Sequence, residues 1–137
     1  MLLIRHAQAG DREEWEGDDR ERPLDERGQR QAAALVDQLA GFAIERIVSS
    51  PYRRCLETVV PLAGARGLEV EALPELGEEH QLVEGIDAVR ALAGEPVAVC
   101  GHGGLERAVP GAPRWKKGST FVVAAGPRLV EALPPPA

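Results

Sequence analysis

Two histidines and a few arginines sit where apolar runs of this chain end. The stretch LLIRHAQAG, residues 2–10, carries three aliphatic residues into Arg5-His6 and then breaks at Ala9-Gly10. Arg53 and Arg54 come shortly after an apolar stretch that closes on Ser49-Ser50-Pro51. His102 stands between glycines directly after VAVC, residues 97–100. Such polar groups are costly to bury without a partner. Arginine offers planar, paired donors that match phosphate oxygens. Histidine can accept a phosphoryl group on one ring nitrogen while a hydrogen bond on the other fixes the tautomer. Two histidines with two or three arginines, if they meet, make a site for a dianion.

For these groups to meet, several strand ends must share one edge. Residues 2–5 read as a short buried strand, a continuous apolar run closed by a turn. Residues 11–24 are polar, rich in Asp and Gly and contain Pro23, which predicts a loop. Asp25 is placed to cap a helix running to about Leu39. Ala32, Leu35, Val36 and Leu39 give it one apolar face, and Gly41 is in place to end it. A second strand is expected over residues 44–49. A helix should then start at Ser50-Pro51, with serine as N-cap, proline as first helical residue, and Arg53 and Arg54 in its first turn. Pro61 is expected to kink or shorten it. Further along, the pattern predicts a strand over 68–73, a weaker helix over 84–93, a strand over 97–100, a short helix from Leu105 and a late strand over 119–125. The closing LPPPA cannot continue a helix or a central strand, and residues 132–137 are expected to fray. Strands alternating with helices predict an α/β layered sheet with parallel pairing, whose ligands sit beyond the carboxyl ends of the strands. Arg5-His6, Arg53-Arg54 and His102 then share that edge, and the helix start after Ser50 adds oriented N–H groups.

Composition bounds the rest. The 137 residues suffice for one compact domain, read as residues 1–137. Apolar residues make up 44% of the chain and aromatics only 4%, so the core must be built from Leu, Val, Ile and Ala. No stretch approaches the roughly 20 apolar residues of a membrane span, and the first residues lack the order of a signal peptide. The expectation is a soluble, cytoplasmic protein without a membrane partner. Net charge is −6; residues 11–27, with nine acids and four arginines, carry −5 of it, leaving −1 on the other 120 residues. That balance argues against a nucleic-acid polymer as partner, but not against one phosphate held by a few local arginines. Cys55 and Cys100 have neither metal nor redox spacing and are expected as buried thiols. Nothing in the sequence indicates the oligomeric state.

Five stretches, LLIRHAQAG, RPLDERGQRQA, SSPYRRCLET, LPELGEE and CGHGG, run in this order from residue 2 to about 104. Together they resemble the histidine phosphatase superfamily, the phosphoglycerate-mutase-like fold. The short length is similar to the SixA-like branch of small phosphatases. GDD at 17–19 followed by RPLDERG is similar to the phosphatase-like domain that trails some MutT-type nucleotide hydrolases. The resemblance implies a three-layer αβα sandwich with a mostly parallel central sheet, without the large helical insert of the mutases. It implies a metal-independent phosphatase with no cofactor, working through a phosphohistidine intermediate on His6. Arg5 and Arg54 would hold the phosphoryl oxygens, and His102 would hydrogen-bond the transferring group. Glu78 would protonate the leaving oxygen and then activate water.

Some assignments stay open within that resemblance. Arg53 replaces Arg54 if the register slips by one. Glu75, Glu79 and Glu84 crowd the segment of Glu78, and a phosphohistidine substrate, with its good leaving group, needs no strong acid. Ala7 stands where the family usually has glycine. The implied partner is a phosphohistidine protein, with a nucleotide or phosphorylated small metabolite as the alternative. A mutase of the same fold is disfavoured because an open site lets water compete for the intermediate; a non-catalytic phosphate-binding module is the remaining reading. His6, His80 and His102 would need close, ordered placement to hold a metal, and no metal is expected. The acidic 11–27 run is expected as a solvated loop placed to rim the pocket. Trp15 is expected to be a packing anchor, with stacking on a substrate ring as the alternative. Trp115-Lys116-Lys117 is expected to be a loop anchor with exposed lysines.

Overall fold

The computed structural model describes all 137 residues. Its sheet has strands β1 (Leu2–Arg5), β2 (Arg46–Ser49), β3 (Val70–Ala72), β4 (Val97–Gly101), β5 (Thr120–Ala124) and β6 (Arg128–Leu133) in the order β3-β2-β4-β1-β5-β6. The first four in that order run parallel; β5 pairs antiparallel with β1, and β6 with β5. The helices are α1 (Glu26–Gln38), α2 (Arg53–Arg66) and α3 (Ile86–Leu92), with short 3-10 turns between them.

Alternating side chains of the central strands build two cores, one on each face. Leu2, Ile4, Ile47, Ala98 and Cys100 meet Leu35 and Leu39 from the α1 segment and Cys55, Val59 and Leu62 of α2. Leu3, Val48, Val97, Val99 and Phe121 pack on the other face with Val89 of α3, Leu76, Leu105 and Trp115. The result is a three-layer αβα sandwich with a mostly parallel sheet and no large insert. Cys55 and Cys100 are both buried and unpaired within the α1–α2 core.

The Asp25 cap forms as its sequence position requires: its Oδ1 accepts the Gly28 N–H at 2.8 Å. Gly28 is obligatory for a further reason. A Cβ there would lie 1.9 Å from the Gln8 carbonyl oxygen, so the first turn of α1 sits directly on the backbone that follows His6.

Four expectations need correction. Ser50-Pro51 does not start α2; the helix begins at Arg53 after Tyr52, which makes no side-chain cap. Ser50 Oγ is engaged elsewhere, accepting the Tyr52 N–H and bonding His102. Pro61 does not end α2, which continues to Arg66 and stops at Gly67 in the left-handed region (φ 65°). Tertiary packing of Val59, Leu62 and Ala63 holds the helix across the one missing N–H. The helix read over 84–93 is preceded by a π-type turn over Gln81–Gly85, and α3 proper is only Ile86–Leu92. Residues 132–137 are not a frayed end. Ala132 and Leu133 pair with Phe121 and Thr120 in β6, and Pro134 and Ala137 carbonyls accept from Gln38 and Gln31. An edge strand tolerates prolines immediately beyond it, which the local pattern could not foretell.

Candidate active site

The carboxyl ends of β2, β4 and β1 are level: Arg5 pairs with Gly101 and Ser49 with Cys100. The ladder continues one step further, His6 N–H donating to the Gly101 carbonyl at 3.0 Å and Ser50 N–H to that of Cys100 at 3.0 Å. His6, Ser50 and His102 therefore leave three adjacent strands at one edge. The rings of His6 and His102 stand edge-on, 5.5 Å between centroids.

His6 is buried, and its Nδ1 lies 2.8 Å from the Ala7 carbonyl. A carbonyl only accepts, so Nδ1 carries the proton and Nε2 keeps a lone pair. The Ala7 N–H is held in turn by Thr58 Oγ1 at 2.9 Å. Burial, with added repulsion from His102, Arg54 and Arg5, pushes the His6 pKa down to about 3. The ring is neutral at neutral pH. His102 moves the other way. Burial opposes its charge, but the Cys55 sulfur, 3.6 Å from Nε2, and the Glu78 carboxylate raise its pKa above the ordinary value. Its Nε2 bonds Ser50 Oγ at 2.8 Å, while Nδ1 stands 3.3 Å from Glu78 Oε2, in ion-pair reach but outside hydrogen-bond geometry.

This asymmetry has a consequence in stability. The folded chain does not protonate His6 until about pH 3, whereas an unfolded histidine does so near 6.5. Between these values the unfolded state binds the extra proton, so stability falls as pH falls. His102, with a raised folded pKa, is charged in both states below 6.5 and gives slope only above it; Glu78, whose pKa is depressed from 4.5, acts only below that value. The urea midpoint should therefore drop from pH 6.5 to 4.5 by the equivalent of about 1 kcal/mol or more. His6→Asn should flatten this slope; an unchanged slope in that variant would refute the buried neutral ring.

Arg5 donates Nη1–H to the Trp115 carbonyl at 2.6 Å. Gly103 packs against the guanidinium so closely that a Cβ there would lie 2.9 Å from Nη2. Arg54 is fully buried and reaches the Asp19 carbonyl at 2.9 Å, Asp19 Oδ2 at 3.1 Å and Glu78 Oε2 at 2.9 Å. Arg53 points away, in an exposed pair with Glu57. Among the four acids, Glu78 alone meets the other candidates, bonding Arg54 and Arg12. Proximity to His102, and then the Arg12 N–H, hold its carboxyl well below the usual range. Glu79 accepts the Tyr52 hydroxyl, and Glu84 lies out by His80. His80 itself pairs with Glu79 and Glu84.

A cavity of about 690 Å³ opens over His6. Arg5, Glu78 and Gln81 line it, as do Arg12, Asp11 and Glu13 from the acidic loop, which thus rims the site. Arg54 and His102 are not on its wall; Glu78 is, and it touches both. Several contributors went unrecognised in the sequence: Asp19 on Arg54, Ser50 on His102, and Arg107 and Lys117 in the cavity wall. Only Ser50 carried a signal, as a hydroxyl at a strand end. Trp15 is not a packing anchor. It is 36% exposed, its indole N–H bonded to the Asp18 carbonyl. Trp115 is the anchor expected, buried and stacked on Phe121.

The sequence profile of the histidine phosphatase superfamily (branch 1) matches residues 1–91, and the chain belongs to that superfamily. It is 34% identical over 142 residues to an 8-oxo-(d)GTP phosphatase of Mycolicibacterium smegmatis, covering 90% of this chain but 43% of that protein. The chain thus spans less than half the length of that curated relative. Among solved structures, the protein histidine phosphatase SixA complexed with tungstate superimposes with a TM-score of 0.77 at 22% identity, over 98% of this chain and 96% of that one. A mycobacterial glucosyl-3-phosphoglycerate phosphatase, Rv2419c, does so with 0.62 at 21% identity, over 79% and 76%. These likenesses show the fold. No helix is long and apolar enough to cross a membrane.

Proposed function

We propose that this chain hydrolyses phosphate bonds through a phosphohistidine intermediate on His6. The carrying observation is a set of buried donors without acceptors. Arg5 Nε, Arg54 Nε and His102 Nδ1, from three separate elements, find no hydrogen-bond partner in the protein. Orphaned buried donors are rare in native folds; Arg5 lines the cavity over His6, and Arg54 and His102 stand behind Glu78 on its wall, so an oxyanion that displaces Glu78 gains donors from all three.

His6 Nε2 attacks phosphorus as the bond to the leaving group breaks, the electron pair departing with that group. Arg5 and Arg54 offset charge on the non-bridging oxygens, where preorganised donors act most strongly. An entering phosphoryl group competes with the Glu78 carboxylate for Arg54 and His102. Once displaced, Glu78 loses the cations that keep it ionised and faces a dianion, so its proton affinity rises. It then takes up a proton from solvent and passes it to the leaving group. In the second step it takes a proton from water, which attacks phosphorus and returns the electron pair of the P–N bond to Nε2.

Two substrate classes suit this chemistry. The likeness to SixA supports a protein phosphohistidine; the M. smegmatis relative supports a nucleotide. The test is rapid-quench labelling with a radiolabelled phosphoryl donor in the presence of chelator. Protein-bound label that is acid-labile and alkali-stable is expected, as for a phosphohistidine. Turnover without such an intermediate, or none from folded protein with any phosphoester or phosphoramidate, would overturn the reading.

A further inference from the structure

We propose that a second anion-binding groove beside His6 receives another phosphoryl group of the same substrate, so that the site is built for a compound carrying two linked phosphates, a phosphoanhydride. This rests on the phosphatase reading above.

The groove, about 330 Å³, is lined by Arg5, Arg27, Arg114, Lys116 and Lys117 together with Gln8, Gln31 and Pro135. It contains five cations and no carboxylate, in a chain with 22 acids and 16 bases. Six arginines elsewhere, Arg12, Arg20, Arg22, Arg46, Arg53 and Arg54, are in ion pairs, while Arg30, Arg66, Arg90, Arg107 and Arg128 are scattered singly outside them. None of the five groove cations is in an ion pair. Like charges gathered without counter-charge repel one another, and an arriving anion removes that cost.

The groove is continuous with the cavity over His6, because Arg5 and Lys117 line both. Its lysines are also held in place. Gly118 N–H reaches the carbonyls of Arg5 at 3.2 Å and His6 at 3.1 Å, and Arg5 N–H donates to Ser119 at 3.0 Å. Arg5 Nη1 bonds the Trp115 carbonyl, the Ser119 hydroxyl bonds that of Lys116, and Trp115 is buried against Phe121. The Trp115–Ser119 loop is thus stapled to the backbone around His6, which fixes the main chain from which Lys116 and Lys117 extend. Burial, with Arg5 beside it, lowers the Lys117 pKa, and an anion in the groove would relieve that stress. Arg27, Arg114 and Lys116 line the groove but not the cavity over His6, so a lone phosphoryl group there does not meet them; a second, linked phosphate does.

The experiment is calorimetric titration with methylenediphosphonate, whose bridging carbon cannot be cleaved, and with inorganic phosphate. Wild type and the Arg114→Glu, Lys116→Glu double variant are compared; both positions are exposed, so the fold is not at risk. The diphosphonate should bind wild type at least about tenfold more tightly than phosphate, a modest return for charged hydrogen bonds. The double variant should shrink that preference to about twofold. Equal affinities in wild type, or a preference untouched by the double variant, would overturn the groove. Turnover of p-nitrophenyl phosphate, measured in parallel, keeps the two readings apart. If it persists while the affinities are equal, only the groove falls. If folded wild type neither turns it over nor binds either anion, both fall.

Discussion

Replacing His6 with alanine is expected to lower kcat by more than about 10⁴-fold while the protein stays folded and still binds phosphate. Removal of an attacking group leaves only what binding and electrostatics contribute. The other candidates cannot take over. His102 has Nε2 committed to Ser50, faces Glu78 with Nδ1, and has a raised pKa. His80 is exposed among carboxylates. Binding should survive because Arg5, Arg54 and Lys117 are untouched, and loss of the ring removes one buried neutral group rather than a charge. Steady-state turnover of p-nitrophenyl phosphate and calorimetric phosphate binding give the two readouts. Activity within tenfold of wild type would end the covalent mechanism, whereas loss of binding along with turnover would mean that the substitution had disturbed β1 itself.

Arg54→Lys is expected to cut kcat/KM by about 10²–10³-fold and to cost about 2 kcal/mol of stability. The guanidinium serves three acceptors at once, the Asp19 carbonyl, Asp19 Oδ2 and Glu78 Oε2. A lysine ammonium is a single point on a flexible stem and cannot reproduce that planar fork. Asp19 and Glu78 then keep their charge with fewer donors, and the acidic loop loses its tie to α2. The neighbour provides the control. Arg53→Ala removes only an exposed i,i+4 pair with Glu57, so it should shift stability by less than about 0.5 kcal/mol and turnover by less than twofold. Urea midpoints and kcat/KM on both variants separate the two positions. A larger loss at Arg53 than at Arg54 would mean that the register of the site is one residue off.

Much of this was legible because it was local. Three apolar runs, each ended by a polar residue, mark β1, β2 and β4, and a buried strand needs little more than such a run. Asp25 three residues before Gly28 marks the start of α1 through one side-chain bond. Once the strands are parallel, whatever follows each of them must arrive at the same edge, which is why Arg5, His6 and His102 could be grouped before any coordinates. Ser50 shows where local reasoning misleads: a serine before a proline is a good N-cap in isolation, yet its hydroxyl was claimed by His102, 52 residues away. The tail shows the reverse, since prolines after Leu133 read as an end to structure although Thr120 was waiting for a partner strand.

What the sequence determined by itself was the layered fold, the strand ends, and the residue types able to hold and accept a phosphoryl group. Tertiary structure decided which of four neighbouring glutamates faces His102, which of two adjacent arginines is buried, and that Lys117 is half-buried in the wall of the cavity over His6. The physical reason is the range of the interactions. Hydrophobic period and capping act within a few residues and are written along the chain. The charges of a site act across space, and Glu78 with Arg12, or Lys117 with Arg5, are brought together only when the sheet has formed.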